Sequence, residues 1–346
     1  MKKNILLIFV CVLILTLALT LIACGTQDEP AEEPSEPEIE KISLRIAGQS
    51  AIDNPDTQAV YRLVDKVKED SDGSIDITVY PANQLGDYTQ VYEELMRGSI
   101  DMALISVAPT YDDRLFLCYL PFIAENYEEV KRLYVPDGFM YNTFSEVHGS
   151  LGVQFLGFYG EGLGGIGSAK MPIEPLDNSV DKGILLRVPG IESIKLSAEA
   201  MGYRTTSIPY AEVYTAMQTG VCDGWLGGPA SLNWTGFRDV IDYYIQTNSW
   251  FEVTFFLMNK DTWDSLSQEH QSIIKEAVSQ ESIRSFETAE ELNEGYMDQM
   301  RDYGIEVVVF TDEELREVAK HNRDVVWPAV RDRIGPELID ELMKQY

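Results

Sequence analysis

Apolar positions along this chain switch between a period of two and a period near 3.6, and the order of the switches lays out alternating strands and helices. Leu44 and Ile46 share one face of a predicted strand over residues 42–47. Asn54-Pro55 opens a helix, with proline in the first turn where no N–H is needed. Val60, Leu63, Val64 and Val67 follow at helical spacing until Asp72-Gly73. Residues 75–80 return to strand alternation and Pro81 closes them. Asp87 caps a second helix with Tyr88, Val91, Tyr92 and Leu95 on one face, stopped by Gly98; residues 100–107 are apolar enough for a buried strand. This order predicts an α/β lobe with a largely parallel sheet.

An apolar, aromatic stretch over residues 115–123 and an interrupted helical stretch over 125–147 come next, then a strand over 152–159. Residues 182–190 read as a short apolar strand that ends in Arg187 and is stopped by Pro189-Gly190. A helix over 193–201, a strand over 203–208, a helix from Pro209 to Gly220 and a strand over 221–225 lead into Gly227-Gly228-Pro229. Strands near 243–247 and 251–258 precede an unbroken helical pattern over about 268–303. At 1.5 Å per residue that helix is about 50 Å long, more than one lobe needs and enough to bridge two. Residues 305–310 form a last strand, and Thr311 with Glu314 makes a capping box for the final helices.

The chain also repeats itself. Val91-Tyr92, Gly98 and Asp101 have the same spacing as Val213-Tyr214, Gly220 and Asp223, each on a helix that runs through a glycine into a strand. The repeat predicts two similar α/β lobes, each with a glycine that tolerates the left-handed conformation.

The N-terminus changes the setting. Lys2 and Lys3, an apolar run over residues 5–23 and the tetrad Leu21-Ile22-Ala23-Cys24 make a secretory signal of the lipoprotein kind, with Cys24 as the lipidated residue. An uncleaved spanning helix is the alternative for that run, and either one tethers the body outside the cytoplasm. Residues 25–40 hold seven acidic residues and three prolines and form a disordered leash. Net charge is −30 with no basic patch, which excludes nucleic acid as a partner and sets a general field against any anionic ligand. Salt screens distant charge within about 10 Å, so one local cation can decide. Cys118 and Cys222 sit in apolar runs and read as buried free thiols, although one disulfide is conceivable in an exported chain. His148, His270 and His321 lie far apart, which leaves no zinc site, no cofactor motif and no nucleophile–base pair.

Two stretches carry candidate chemistry. Arg187 at its strand end projects a planar fork that can hold a carboxylate through two parallel charge-assisted hydrogen bonds. Residues 160–167 contain a literal G-x-G-x-x-G after a strand, but Pro172 and Pro175 follow instead of a helix. The stretch is therefore a crossover or a loop yielding room to a ligand, not a dinucleotide fingerprint.

With these pieces placed, the chain resembles the substrate-binding proteins of TRAP transporters, the tripartite ATP-independent periplasmic carriers of organic acids. The matching segments are residues 80–86 (Tyr-Pro-Ala-Asn-Gln-Leu-Gly), 98–103 (Gly-Ser-Ile-Asp-Met-Ala), 182–190 and 208–224, and the likeness covers about residues 42–346. It implies a two-lobed periplasmic-binding-protein-like α/β fold with crossing strands and a long bridging helix. Lobe I would hold residues 41–158 and about 249–285, and lobe II residues 159–248 and about 286–346 with the bridging helix. Residues 1–23 would be the signal and 24–40 the tether. The resemblance further implies that Arg187 pairs with the ligand carboxylate, that no chemistry is done, and that the ligand passes to TRAP permease subunits in the membrane.

Two departures from the family shape the ligand. No second arginine precedes the Arg187 strand, and Trp225-Leu226-Gly227-Gly228-Pro229 stands where many members have Glu-Asn-Pro. One arginine and an aromatic wall suit a monocarboxylate with an apolar or aromatic body. Trp225, Gly227, Gly228, Tyr210 and Tyr159 are candidate ligand residues, with Trp234 and Phe251 as further wall candidates. Asn54 and Gln49, at the first strand-to-helix turn, would face the cleft from the other lobe. A sensor lipoprotein of the same fold, or an extracytoplasmic enzyme using a pair such as Asp112 and Asp113, are the competing functions.

Overall fold

The computed structural model describes residues 41–345, so the predicted signal, Cys24 and the acidic tether lie outside the described residues. Strand β1 (Ile42–Gly48) turns at Asn54, whose side chain accepts from the Asp56 amide and starts α1 (Pro55–Asp70). Strand β2 (Ile75–Tyr80) follows. Then comes α2 (Tyr88–Arg97), which Asp87 and Gln90 cap reciprocally, and β3 (Met102–Ile105). This last strand is shorter than its apolar run. The Ser106 amide turns to Gln49 Oε1 (2.8 Å) and that of Val107 to the Tyr119 hydroxyl (3.3 Å) instead of a neighbouring strand.

Helices α3 (Tyr127–Leu133) and α4 (Phe139–Ser150) lead to β4 (Val153–Leu163), and β5 (Ile166–Ser168) comes only two residues later. After a loop come β6 (Leu185–Val188), α5 (Glu192–Ala200), β7 (Arg204–Ser207), α6 (Val213–Gln218), β8 (Gly224–Leu226) and α7 (Ala230–Phe237). The strand expected from residue 221 starts three residues late, because the Val221 amide closes the helix on Ala216 O. The chain finishes with β9 (Tyr243–Gln246), β10 (Phe251–Asn259), α8 (Lys260–Ser265) and the 36-residue α9 (Gln268–Tyr303). After these come β11 (Glu306–Val309), α10 (Asp312–Ile334) and α11 (Pro336–Leu342).

Two sheets result. The first runs β2-β1-β3-β10-β4, with β1 parallel to both neighbours and β10 antiparallel to both of its own; the second runs β11-β9-β5-β8-β6-β7 with β5 antiparallel. The chain passes from the first sheet to the second between β4 and β5, and back between β9 and β10. The two crossings lie side by side, Leu163 opposite Phe251 and the Gly164 amide on Trp250 O at 2.8 Å. The glycine-rich stretch is this crossing. A Cβ on Gly165 would stand 2.6 Å from the Tyr244 ring, and one on Gly167 2.2 Å from Asn233 Oδ1, so the glycines let aromatic and amide side chains reach the crossing backbone. Helix α9 spans both cores: Ile274, Ala277 and Val278 pack with Leu44 and Leu63, while Met297 and Met300 pack with Val213 and Trp225.

The sequence repeat has a structural meaning. Gly98 and Gly220 both adopt the left-handed conformation, at φ 78° and 72°. Asp101 then accepts from the Arg45 amide (2.8 Å) and Asp223 from the Leu185 amide (2.9 Å), each carboxylate pinning a parallel strand of its sheet. Cys118 and Cys222 are both buried and free.

His148, fully buried in α4, lies among Phe144, Phe155 and Phe255, with Nδ1 on the Tyr92 hydroxyl at 2.8 Å. Burial pulls its pKa down to about 3 from its ordinary 6.5. The unfolded chain takes up a proton near pH 6.5 that the folded chain refuses until about pH 3. The stability from this neutral imidazole is therefore complete above pH 6.5 and is lost as pH falls through that window. Urea denaturation at pH 7 and pH 5 should show the parent losing about 2 kcal/mol more than His148→Phe, at about 1.4 kcal/mol per pH unit. Equal losses would mean that His148 is protonated in the fold.

Candidate functional site

In an open α/β sheet, ligands bind beyond the carboxyl ends of parallel strands, where backbone groups and loop side chains converge. Here both sheets present such ends to one crevice. From β1 and β3 come Gln49 and Ser106; from β6 and β8 come Arg187, Pro189, Leu226 and Gly227. They enclose a cavity of about 50 Å³, small beside the roughly 300–1,000 Å³ of typical ligand pockets. Two contacts across the crevice accompany this tight fit: Asn54 Nδ2 donates to Thr235 Oγ1 at 2.9 Å, and the Ala211 amide donates to Asp87 Oδ2 at 3.3 Å.

Arg187 is the cation of this cavity. It is 3% exposed, held in register opposite Thr206 and Trp225, and its Nε donates to Ile208 O at 2.7 Å. That is the only hydrogen bond its guanidinium makes among the described residues, so both terminal nitrogens keep their donors. Burial pulls its pKa down, against the influence of Tyr88, Tyr210 and Asp87. The walls are aromatic and aliphatic. Trp225 is buried, its indole N–H fixed on Asn233 Oδ1 at 2.8 Å, and Tyr210 lies 6.1 Å from it between ring centroids. Tyr88, Tyr119, Trp250 and Ile191 complete the lining, and burial pushes the Tyr88 phenol up to about 12.

The cavity has an anionic side as well. Glu252, second in β10, accepts from Ser106 Oγ (3.2 Å) and Trp250 Nε1 (2.8 Å), and burial raises its pKa against those donors. Behind the wall stands Glu161, 7% exposed on β4, where neither carboxylate oxygen has a hydrogen-bond partner among the described residues. The Thr254 hydroxyl lies beside it without reaching hydrogen-bond geometry. Burial and then the nearby Asp56 push Glu161 well above the usual carboxylate range. Asp56 is itself buried and pushed up to about 6, with Ser50 Oγ donating to it at 2.6 Å.

Of the residues expected at a ligand site, Arg187, Trp225, Gly227, Gly228, Tyr210 and Gln49 are brought together in the cavity lining. Asn54 stands at the crevice but spends its side chain on the α1 cap and on Thr235. Tyr159 lies elsewhere, in a groove of about 650 Å³ along α9 beside Arg62 and Glu281. Phe251 stacks on Phe286 in the core, and Trp234 packs under Arg238 beside Tyr303. Asp112 and Asp113 are engaged away from the crevice, Asp112 with Arg114 and Asp113 with Arg333, both at 2.7 Å.

A sequence model of the bacterial extracellular solute-binding proteins, family 7 (DctP), matches residues 46–330. The chain belongs to this family. Among curated relatives, this family 7 protein is 25% identical over 304 residues to the C4-dicarboxylate-binding periplasmic protein DctP of Rhodobacter capsulatus, covering 87% of this chain and 90% of that one. It is also 25% identical over 239 residues to the sialic acid-binding periplasmic protein SiaP of Vibrio cholerae, 68% and 73% of the two chains. Among solved structures, the sugar acid binding protein of Advenella mimigardefordensis in complex with galactonate superposes with a TM-score of 0.82 at 22% identity, covering 89% of this chain and 98% of that one. A TRAP periplasmic solute binding protein from Desulfovibrio salexigens with bound orotic acid gives 0.79 at 20% identity, covering 88% and 99%. These likenesses establish the two-lobed fold for the family 7 protein.

Sequence reasoning missed Glu252, Glu161, Ser106 and Trp250. Two of them left a signal. Glu252 is the one charge in the apolar run over residues 251–258, and Glu161 the one charge over residues 152–167. A lone carboxylate inside a buried strand pattern needs a partner, and that need points to a site. Ser106 and Trp250 left none, since a serine or tryptophan at a strand end is ordinary.

The Asn54–Thr235 bond ties the two sides of the crevice together in the structure described. Thr235→Val keeps the shape and the α1 cap but removes the acceptor. Titration calorimetry should show affinity for a bound acid lowered by up to about tenfold, the net worth of one hydrogen bond, with the ligand-free melting temperature unchanged. Unchanged affinity would mean that this bond plays no part in the ligand-bound form.

Proposed function

We propose that this protein is an extracytoplasmic solute-binding lipoprotein that captures an organic carboxylate between its two lobes and delivers it to a TRAP-type membrane permease. The observation that carries the reading is Arg187, a buried guanidinium with both terminal nitrogens undonated, at the carboxyl ends of the strands. The carboxylate docks in that fork, and Trp225, Tyr210 and Ile191 pack on an apolar or aromatic body. The relatives named above for binding C4-dicarboxylates and sialic acid support an organic acid as the class of ligand. The protein binds and releases its ligand without chemical change. Lobe I takes residues 41–158 and about 249–285, lobe II residues 159–248 and about 286–346, and closure of the two presents the loaded form to the permease. Cys24, lipidated after removal of residues 1–23, anchors the body to the membrane through the acidic tether.

Two measurements check this reading. In a thermal-shift and calorimetric screen against organic acids, Arg187→Ala should cost the bound carboxylate about 3–5 kcal/mol, two to three and a half decades in affinity. Arg187→Lys should recover only part of it. Equal binding by parent and Arg187→Ala would remove the arginine from the site. Cys24→Ser should move the protein from the membrane fraction to the soluble extracytoplasmic fraction, and retention in the membrane would favour an uncleaved spanning segment.

A further inference from the structure

Arg187 and Glu252 are the only charged side chains lining the cavity among the described residues, and they are not paired with each other. Each meets neutral partners on its own side: Arg187 the Ile208 carbonyl, Glu252 a hydroxyl and an indole N–H. From this separation we infer that the ligand is a zwitterion, with a carboxylate against Arg187 and a cationic nitrogen against Glu252. The inference rests on the carboxylate-binding function proposed above and narrows its ligand class.

The hydrogen bonds around Glu252 fix its role. Gln49 Nε2 donates to Ser106 Oγ at 3.0 Å, which turns the Ser106 proton toward Glu252 Oε1. Trp250 supplies a second donor to Oε2. A carboxyl group that receives a donor on each oxygen and finds no acceptor is arranged as a carboxylate. Each of its oxygens keeps a further lone pair for a ligand donor. Gln49 and Ser106 hold each other twice, since the Ser106 amide also binds Gln49 Oε1 at 2.8 Å, so the acceptor stands on a fixed support.

Charge balance selects the same ligand. A nitrogen-free monocarboxylate would neutralise Arg187 and leave the half-buried Glu252 uncompensated. A dicarboxylate would set its second anion against Glu252. Glu161 lies next to the residue paired with Glu252 in the sheet, with both oxygens unpartnered among the described residues, and a cation bound nearby favours its ionised form. An ammonium, iminium or methylated nitrogen satisfies Glu252. Trp225, Trp250 and Tyr119 line the same cavity, and aromatic rings are the side chains that attract such a cation.

The test is titration of the full-length chain with amino acids, cyclic amino acids and methylated betaines, each beside its nitrogen-free carboxylate analogue and beside succinate. The expected result is a zwitterion bound roughly ten- to a hundredfold more tightly than its carboxylate analogue, the range for a charge-assisted contact. Glu252→Gln should collapse that ratio towards one, by weakening the zwitterion and strengthening the analogue, and Arg187→Ala should weaken both members of the pair. Glu161→Gln should reduce the ratio by a smaller factor. If a plain acid or succinate binds through Arg187 as tightly as any zwitterion, the inference falls and carboxylate binding stands. If a nitrogen compound binds equally well to the parent and to Arg187→Ala, carboxylate recognition itself falls. The ratio in the parent decides the matter even if Glu252→Gln fails to fold.

Discussion

The guanidinium of Arg187 is taken out of water and given one backbone carbonyl as its only hydrogen-bond partner among the described residues. A charge in that position costs several kcal/mol of solvation unless something of opposite sign completes it. The rest of the molecule can be read as the means of tolerating that cost. A parallel register fixes the arginine opposite Trp225 and Thr206, aromatic walls exclude solvent, and the two lobes close the space around it. The terminal nitrogens keep their donors among the described residues, so a partner of opposite sign would complete the cation.

The crossing strands join the two sheets. Leu163 to Gly165 and residues 247–250 run side by side between the sheets, held by a short ladder of backbone and side-chain hydrogen bonds. Glycine at residues 160, 164, 165 and 167 allows Phe286, Trp250, Tyr244 and Asn233 to lie on the crossing backbone. The joint is therefore narrow yet fully packed. Helix α9 runs across it with one end in each core, which ties the lobes together and limits how far they can part.

Electrostatics is arranged on two scales. The chain as a whole carries −30, a field that repels organic anions. Within the crevice one arginine supplies a positive charge, and because it is buried its influence is local and strong. Glu252 then places a second, acidic group a short distance away, supported by Ser106 and Trp250. The crevice thus holds a field with direction, and a ligand must match the direction as well as the net charge.

Most of the order of strands and helices, the caps at Asn54, Asp87 and Thr311, the length of α9 and the repeated glycine–aspartate device were legible in the sequence, while β5, α7 and α8 were not. The legible features depend on side-chain periodicity and on backbone chemistry within a few residues. Arg187 was legible for the same reason, as a charge closing an apolar strand beside a turn. What only the tertiary structure decided is which distant residues meet at the crevice. Tyr159 and Asn54 looked as eligible as Tyr210, yet the fold sets Tyr159 in the groove along α9 and engages the Asn54 side chain in the α1 cap and a bond to Thr235. Glu252 and Glu161 were visible as lone charges in apolar runs, but their meeting around one cavity depends on β4 and β10 pairing across more than eighty residues of chain. Local sequence sets what each segment can form. Long-range strand pairing brings the charges to one crevice, and no local pattern encodes that distance.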